Sequence, residues 1–176
     1  ALVDVDDLPG AADDAAADVE LAVLQERFLA SEWAARTPEA VALVFEGREL
    51  SYGELDRRSN QLAHHMRGLG VGPEVVVGLC VERSPEMVVG LLGILKAGGA
   101  YLPLDPSYPA ERLEFMLEDA GAALVITTAA LGARLGGAAA RRLELDSQAA
   151  ALARQPTRAP AITLKGQNLA YIIYTS

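Results

Sequence analysis

Residues 75–104 read VVVGLCVERSPEMVVGLLGILKAGGAYLPL, and this stretch decides the fold. Val75-Val76-Val77-Gly78-Leu79-Cys80 is a short, unbroken apolar run, the pattern of a strand buried on both faces. Ser84-Pro85 then reads as a helix start, a capping hydroxyl followed by proline at the first helical position. Met87, Val88, Leu91, Leu92, Ile94 and Leu95 fill that helix, and Gly98-Gly99 ends it. Ala100-Tyr101-Leu102-Pro103-Leu104 is a second strand. Strand, helix and strand in this order make the unit of a parallel sheet with a right-handed crossover.

The alternation continues downstream. Pro109 opens a helix carrying Leu113, Met116 and Leu117, and Ala123-Leu124-Val125-Ile126-Thr127 follows as a strand. From Ala129 to Pro160 the signal decays into Ala, Gly, Arg and Gln, with Leu143-Glu144-Leu145-Asp146 as its one strand-like patch. Leu169-Ala170-Tyr171-Ile172-Ile173-Tyr174 reads as a further strand. Upstream, Val41–Phe45 and Arg48–Leu50 flank Glu46-Gly47 as a hairpin. Ser51 opens a helix with Glu54 placed to complete a capping box. Leu55, Leu62, Ala63, Met66 and Leu69 give that helix its buried stripe, and Gly70 its left-handed cap. A first helix is expected over Val19–Ala35, carrying Leu21, Leu24, Phe28, Leu29 and Trp33 and stopped by Thr37-Pro38. The expected class is α/β, a three-layer unit with a mainly parallel sheet flanked by helices.

The chain has 176 residues, 51% hydrophobic and 22% charged, with a net charge of −9. Its mean hydropathy is +0.20 and its pI about 4.7. That apolar content excludes a wholly disordered chain. The acidity argues against nucleic-acid or anionic-membrane partners, which need a basic surface. A single cysteine excludes a disulfide scaffold and a multi-cysteine zinc site. No apolar run is long enough to span a bilayer and the N-terminus lacks a signal pattern, so a cytoplasmic location is expected. Seven of the 24 acids and none of the 15 Lys and Arg fall in residues 1–20, so the body is nearly neutral. Residues 1–20 read as an acidic connector from an upstream domain, and residues 21–176 as the N-terminal portion of the domain that follows.

Most residues that invite a chemical role have a structural explanation. Gly68, Gly70 and Gly72 follow a helix and precede a strand, whereas a phosphate-cradling glycine loop follows a strand and opens a helix. His64 and His65 are adjacent on a helix, face different directions and cannot chelate one ion. Cys80 ends a buried strand with no base beside it, so it reads as an inert core thiol. Glu111, Glu114, Glu118 and Asp119 follow one another on a helix, and a solvated acidic face explains them as well as an acid–base pair would. Lys96 is expected to lay its stem along the core and hold its charge at a helix end. No catalytic residue and no metal ligand is assigned.

Leu95-Lys96-Ala97-Gly98-Gly99-Ala100-Tyr101-Leu102-Pro103-Leu104-Asp105 resembles the core motif of the adenylation domains of nonribosomal peptide synthetases, within the adenylate-forming ligases. Leu50-Ser51-Tyr52-Gly53-Glu54-Leu55 is similar to the first motif of that family. Leu169-Ala170-Tyr171-Ile172-Ile173-Tyr174-Thr175-Ser176 is similar to the opening of the third, and Asp105-Pro106-Ser107-Tyr108-Pro109-Ala110-Glu111-Arg112-Leu113 also matches. The resemblance covers residues from about 24 to 176.

The resemblance implies use of ATP and Mg²⁺ to convert an amino acid to an aminoacyl-adenylate, with release of pyrophosphate. The acyl group then passes to the phosphopantetheine arm of a carrier protein. It implies that Thr175 and Ser176 begin the loop that holds the ATP phosphates, and that they are the only nucleotide-contacting positions present. The rest of the adenylation domain, an upstream condensation-type domain and a carrier domain are the implied partners. An MbtH-like accessory protein would dock near the helix that starts at Pro109-Ala110-Glu111. On this reading the 176 residues alone are inactive, hold no bound cofactor and expose apolar surface that favours self-association. The alternatives are a fragment of an acyl- or aryl-CoA ligase and a non-catalytic docking subdomain. The tyrosine-rich wording of residues 169–176 favours the peptide-synthetase branch.

Overall fold

The computed structural model describes residues 3–4, 31–135, 139–165 and 167–174. The leading part of the expected first helix, with Leu21, Leu24, Phe28 and Leu29, lies outside the described residues. Its end is present as α1 (residues 31–36), and it stops at Thr37-Pro38 as the sequence suggests. The Thr37 N–H and hydroxyl both donate to the Trp33 carbonyl, at 2.7 and 3.2 Å. Trp33 stacks on Tyr52 with ring centroids 6.1 Å apart.

β2 (Val41–Phe45) and β3 (Arg48–Ser51) pair antiparallel. Glu46 (φ 47°) and Gly47 (φ 74°) supply the two positive φ angles that a tight hairpin turn matching strand twist requires. A register shift between Val41 and Leu43 lets consecutive residues Ala42 and Leu43 both face inward. On the other side of β2, β1 (Val3–Asp4) pairs parallel, Val3 with Leu43 and Asp4 with Val44. The segment expected to be a connector therefore contributes a short piece of sheet.

α2 (Tyr52–Gly68) begins at Ser51, whose Oγ accepts the Glu54 N–H at 3.3 Å. The capping box is half made, because Arg57 draws the Glu54 carboxylate to itself at 2.6 and 2.8 Å. The helix ends as Gly70 enters the left-handed region at φ 95°. Gly70 N–H then reaches the Arg67 carbonyl and Val71 N–H the Met66 carbonyl, each at 3.0 Å, satisfying carbonyls the helix leaves open.

The second sheet is wholly parallel, in the order β5 (Ala100–Pro103), β4 (Val76–Leu79), β6 (Leu124–Thr127), β7 (Arg141–Glu144). α3 (Pro85–Ala97) connects β4 to β5, and α4 (Ala110–Asp119) connects β5 to β6. Short helices α5 (Ala129–Gly132) and α6 (Ala149–Leu152) flank β7. Alternate strand residues feed two cores. Val77, Leu79, Tyr101, Leu124, Ile126 and Leu143 pack with α2 and α3. Val76, Cys80, Leu102, Leu104 and Val125 pack with Leu113, Met116 and Leu117 of α4. Helices thus cover both faces, which confirms the expected three-layer α/β unit.

Glycines mark close approaches on both faces of the sheet. A Cβ on Gly78 of β4 would sit 2.7 Å from Leu117 of α4, and one on Gly90 of α3 would sit 2.7 Å from Leu79 of β4. Within the other helical layer, one on Gly93 of α3 would sit 2.8 Å from Leu62 of α2. One expected detail differs at the start of α3. Ser84 occupies the cap position but its hydroxyl donates to the Glu82 carbonyl at 3.1 Å, making no cap bond. The Met87 N–H, a donor such a cap would satisfy, bonds the Ser84 backbone carbonyl at 3.0 Å instead, and proline at N1 leaves one fewer open N–H in the first turn.

Candidate functional site

Residues 168–174 form a segment fixed along its length. The sequence suggests a strand over 169–174, and the structure reduces it to one parallel bridge, Tyr101 with Tyr171. The Tyr101 N–H donates to the Ala170 carbonyl and the Ile172 N–H to the Tyr101 carbonyl, both at 3.0 Å. Strand-like alternation persists around that bridge. Tyr171 packs on the α2–α3 side, its ring 5.7 Å from that of Tyr101, while Ile172 and Tyr174 pack on the α4 side. The bridge lies along the outer edge of β5, so the segment is hydrogen-bonded into the sheet on that side.

Because Tyr171 pairs parallel to β5, the chain passes that strand in the direction of the sheet's carboxyl edge. In open α/β sheets ligands bind outside that edge. Tyr174 is tethered to the last turn of α4. Its hydroxyl donates to Asp119 Oδ2 at 2.5 Å and lies 3.5 Å from the Met116 carbonyl. Its ring meets Phe115 edge-on at 6.5 Å. Loss of solvation, then the bond to Asp119, pushes the Tyr174 hydroxyl up to about 12. At the other end, Glu74 Oε1 accepts from Asn168 Nδ2 at 2.7 Å and from the Leu169 N–H at 3.1 Å. The two residues the resemblance assigns to nucleotide, Thr175 and Ser176, lie outside the described residues.

The other candidates take structural places. Cys80 is buried, and burial pushes its thiol up to about 11. His64 Nε2 lies 3.0 Å from the Arg158 carbonyl on an exposed face. Among the described residues no group of three or more His, Cys, Asp or Glu could hold a metal ion. No described helix is long and apolar enough to cross a membrane.

Lys96 departs from expectation. Its side chain is 4% exposed and its ammonium is buried, not held at the surface. Nζ donates to Asp56 Oδ1 and to Ser59 Oγ, each at 2.7 Å, tying α3 to α2. Asp56 also accepts from Ser31 Oγ at 3.0 Å and from Asn60 Nδ2 at 2.8 Å. Next to this knot, the α2 amides bind the segment after α6. Asn60 Nδ2 reaches the Thr157 carbonyl, and Gln61 Nε2 those of Ala153 and Gln155. Sequence reading missed this polar face of α2. Its one signal was Ser59-Asn60-Gln61 lying between buried apolar residues of the same helix.

Comparison with known proteins gives the class first. The pattern of the family described as AMP-binding enzyme matches residues 30–176, and the chain belongs to that family. A linear gramicidin synthase of Brevibacillus parabrevis is 49% identical over 141 residues, covering 80% of this chain and 2% of the relative. Chondramide synthase cmdD of Chondromyces crocatus is 53% identical over 146 residues, covering 81% and 4% respectively. The crystal structure of the nonribosomal peptide synthetase FmoA3 in its alpha-methyl-L-serine-AMP bound form matches with a TM-score of 0.77 at 38% identity. That match covers 86% of this chain and 16% of the other. The stretch thus resembles the N-terminal part of a peptide-synthetase adenylation domain, as its motifs implied, and spans a small share of the curated relatives.

Proposed function

We propose that these residues form the leading part of an amino-acid-activating adenylation domain within a longer synthetase polypeptide. The observation that carries the reading is the parallel segment 168–174. It is bonded to β5 and directed to the carboxyl edge, and it immediately precedes Thr175-Ser176. Hydroxyl and backbone N–H donors suit phosphate oxygens, so Thr175 and Ser176 fit the start of a triphosphate-holding loop. The chemistry would be attack of an amino-acid carboxylate on the α-phosphate of ATP, with pyrophosphate leaving. This chain's share is placement: the sheet and the tethered segment hold the loop's start in a fixed position. Mg²⁺ is not assigned to any residue here. Transfer to a carrier phosphopantetheine, the carrier domain and an upstream condensation-type domain belong to the proposal at the level of the whole polypeptide.

The test is amino-acid-dependent ATP–pyrophosphate exchange. The longer polypeptide is expected to catalyse it, and replacing Thr175 and Ser176 by alanine is expected to slow it about 100-fold, as for loss of preorganised donors. Undiminished exchange in that variant refutes the assignment. The 176 residues alone are expected to give none. Phe115, 58% exposed on α4, also favours docking of an MbtH-like protein on that helix, and a pull-down with Phe115→Ser that retains full capture would refute it.

A further inference from the structure

Glu74 breaks a local rule of turn chemistry. The turn Gly72-Pro73-Glu74-Val75 is closed by the Val75 N–H to the Gly72 carbonyl at 3.1 Å. Pro73 suits the second position of such a turn, and the third, when φ is positive there, normally takes glycine. Glu74 occupies it at φ 66°, in the left-handed region that costs a side-chain-bearing residue. A residue that conflicts with its local backbone needs a compensating role, and such conflicts concentrate at functional sites.

The compensation is visible in its contacts. Glu74 Oε1 takes both the Asn168 side-chain amide, at 2.7 Å, and the Leu169 N–H, at 3.1 Å. Asn168 in turn closes its own loop, since its Oδ1 accepts the Lys165 N–H at 2.8 Å and its N–H donates to the Lys165 carbonyl at 3.0 Å. The chain enters the 169–174 segment directly from this clamp. Glycine at position 74 would relieve the backbone and lose both bonds.

We propose that Glu74, acting through Asn168, is a positioning residue for the nucleotide-phosphate loop, fixing the register in which residues 169–174 cross the edge of β5 before Thr175. The inference rests on the proposed function for its consequence, though the clamp itself does not. Glu74 touches no reacting atom. It sets where the loop begins, and Asp119 secures the far end at Tyr174.

The test has two arms. The first is amide hydrogen exchange in the 176-residue chain, comparing wild type with Glu74→Gly, Glu74→Gln and Asn168→Ala. Glu74→Gly is expected to speed exchange at Leu169 and Ile172 without changing α2 or β4, and Glu74→Gln, which keeps an acceptor, is expected to restore most protection. The second arm is the KM for ATP in the longer polypeptide, expected to rise about fivefold for Glu74→Gly or Asn168→Ala with kcat little changed, and no further in the double variant. Unchanged exchange at Leu169 and Ile172 overturns the clamp. Faster exchange with an unchanged KM overturns its positioning role and leaves the proposed function standing. A wild-type longer polypeptide with no amino-acid-dependent ATP–pyrophosphate exchange overturns the proposed function and the positioning role together, whatever the first arm shows.

Discussion

Replacing Lys96 with methionine isolates its ion pair with Asp56, which among the described residues is the buried pair joining α2 to α3. Methionine keeps most of the apolar stem and removes the ammonium, so packing changes little while Asp56 loses its cation. At 2.7 Å the gross attraction is about 6 kcal/mol for an effective dielectric near 20, but desolvation of both groups offsets much of it. Stripping one partner from a buried pair typically costs about 3–5 kcal/mol. Asp56 stays 24% exposed and keeps its bonds from Ser31 and Asn60, which brings Lys96→Met to or just below the low end of that range, about 2–3 kcal/mol. Asp56→Asn with Lys96→Met removes both charges and is expected to cost less than the sum of the singles, by about 1–2 kcal/mol. Urea unfolding monitored by circular dichroism measures this as a lower midpoint at constant slope. A loss under about 0.5 kcal/mol for Lys96→Met, or strict additivity in the double variant, would refute the reading of Lys96 as an internal tie.

Other outcomes follow from neighbouring geometry. Gly93→Ala drives a methyl to 2.8 Å from Leu62 Cδ2 and 3.2 Å from its Cβ, so the α2–α3 contact must open, at about 1–3 kcal/mol in the same unfolding assay. Cys80 is expected to react with a thiol reagent far more slowly in the native chain than in urea. Its native rate should still be climbing toward pH 11, because burial pushes the thiol up to about 11. The amide of Asn168, then the Leu169 N–H, holds the Glu74 carboxyl below its ordinary 4.5. A depressed folded value means the clamp is fully present above the ordinary value and is lost as pH falls through the lowered one. Exchange at the Leu169 amide, corrected for its intrinsic pH dependence, should accelerate only in that acid window.

The parallel sheet was legible because its strands are unbroken apolar runs separated by capped helices, and those signals are local. Gly70 announced its left-handed cap and Gly98 the end of its helix, and the structure gives φ 95° and 90°. The losses came where a partner lies far along the chain. Nothing adjacent to Lys96 shows that Asp56 waits 40 residues away, so a buried cation read as a surface one. Asn60 and Gln61 bond carbonyls more than 90 residues downstream. The 169–174 run has strand composition, yet pairing registers only at Tyr171, since composition cannot say how far a ladder extends. Of the site, the motif was readable, whereas the tethers at Glu74 and Asp119 that hold it were not.

A crystal structure of the complete adenylation domain containing these residues, solved with a non-hydrolysable ATP analogue, decides whether Thr175 and Ser176 begin the phosphate loop. The phosphates are expected to contact the Thr175 and Ser176 backbone or hydroxyls, with residues 168–174 bonded to β5 and Glu74 as here and no nucleotide contact before Tyr171. Phosphates seated elsewhere, with Thr175 and Ser176 turned away from them, would contradict that assignment.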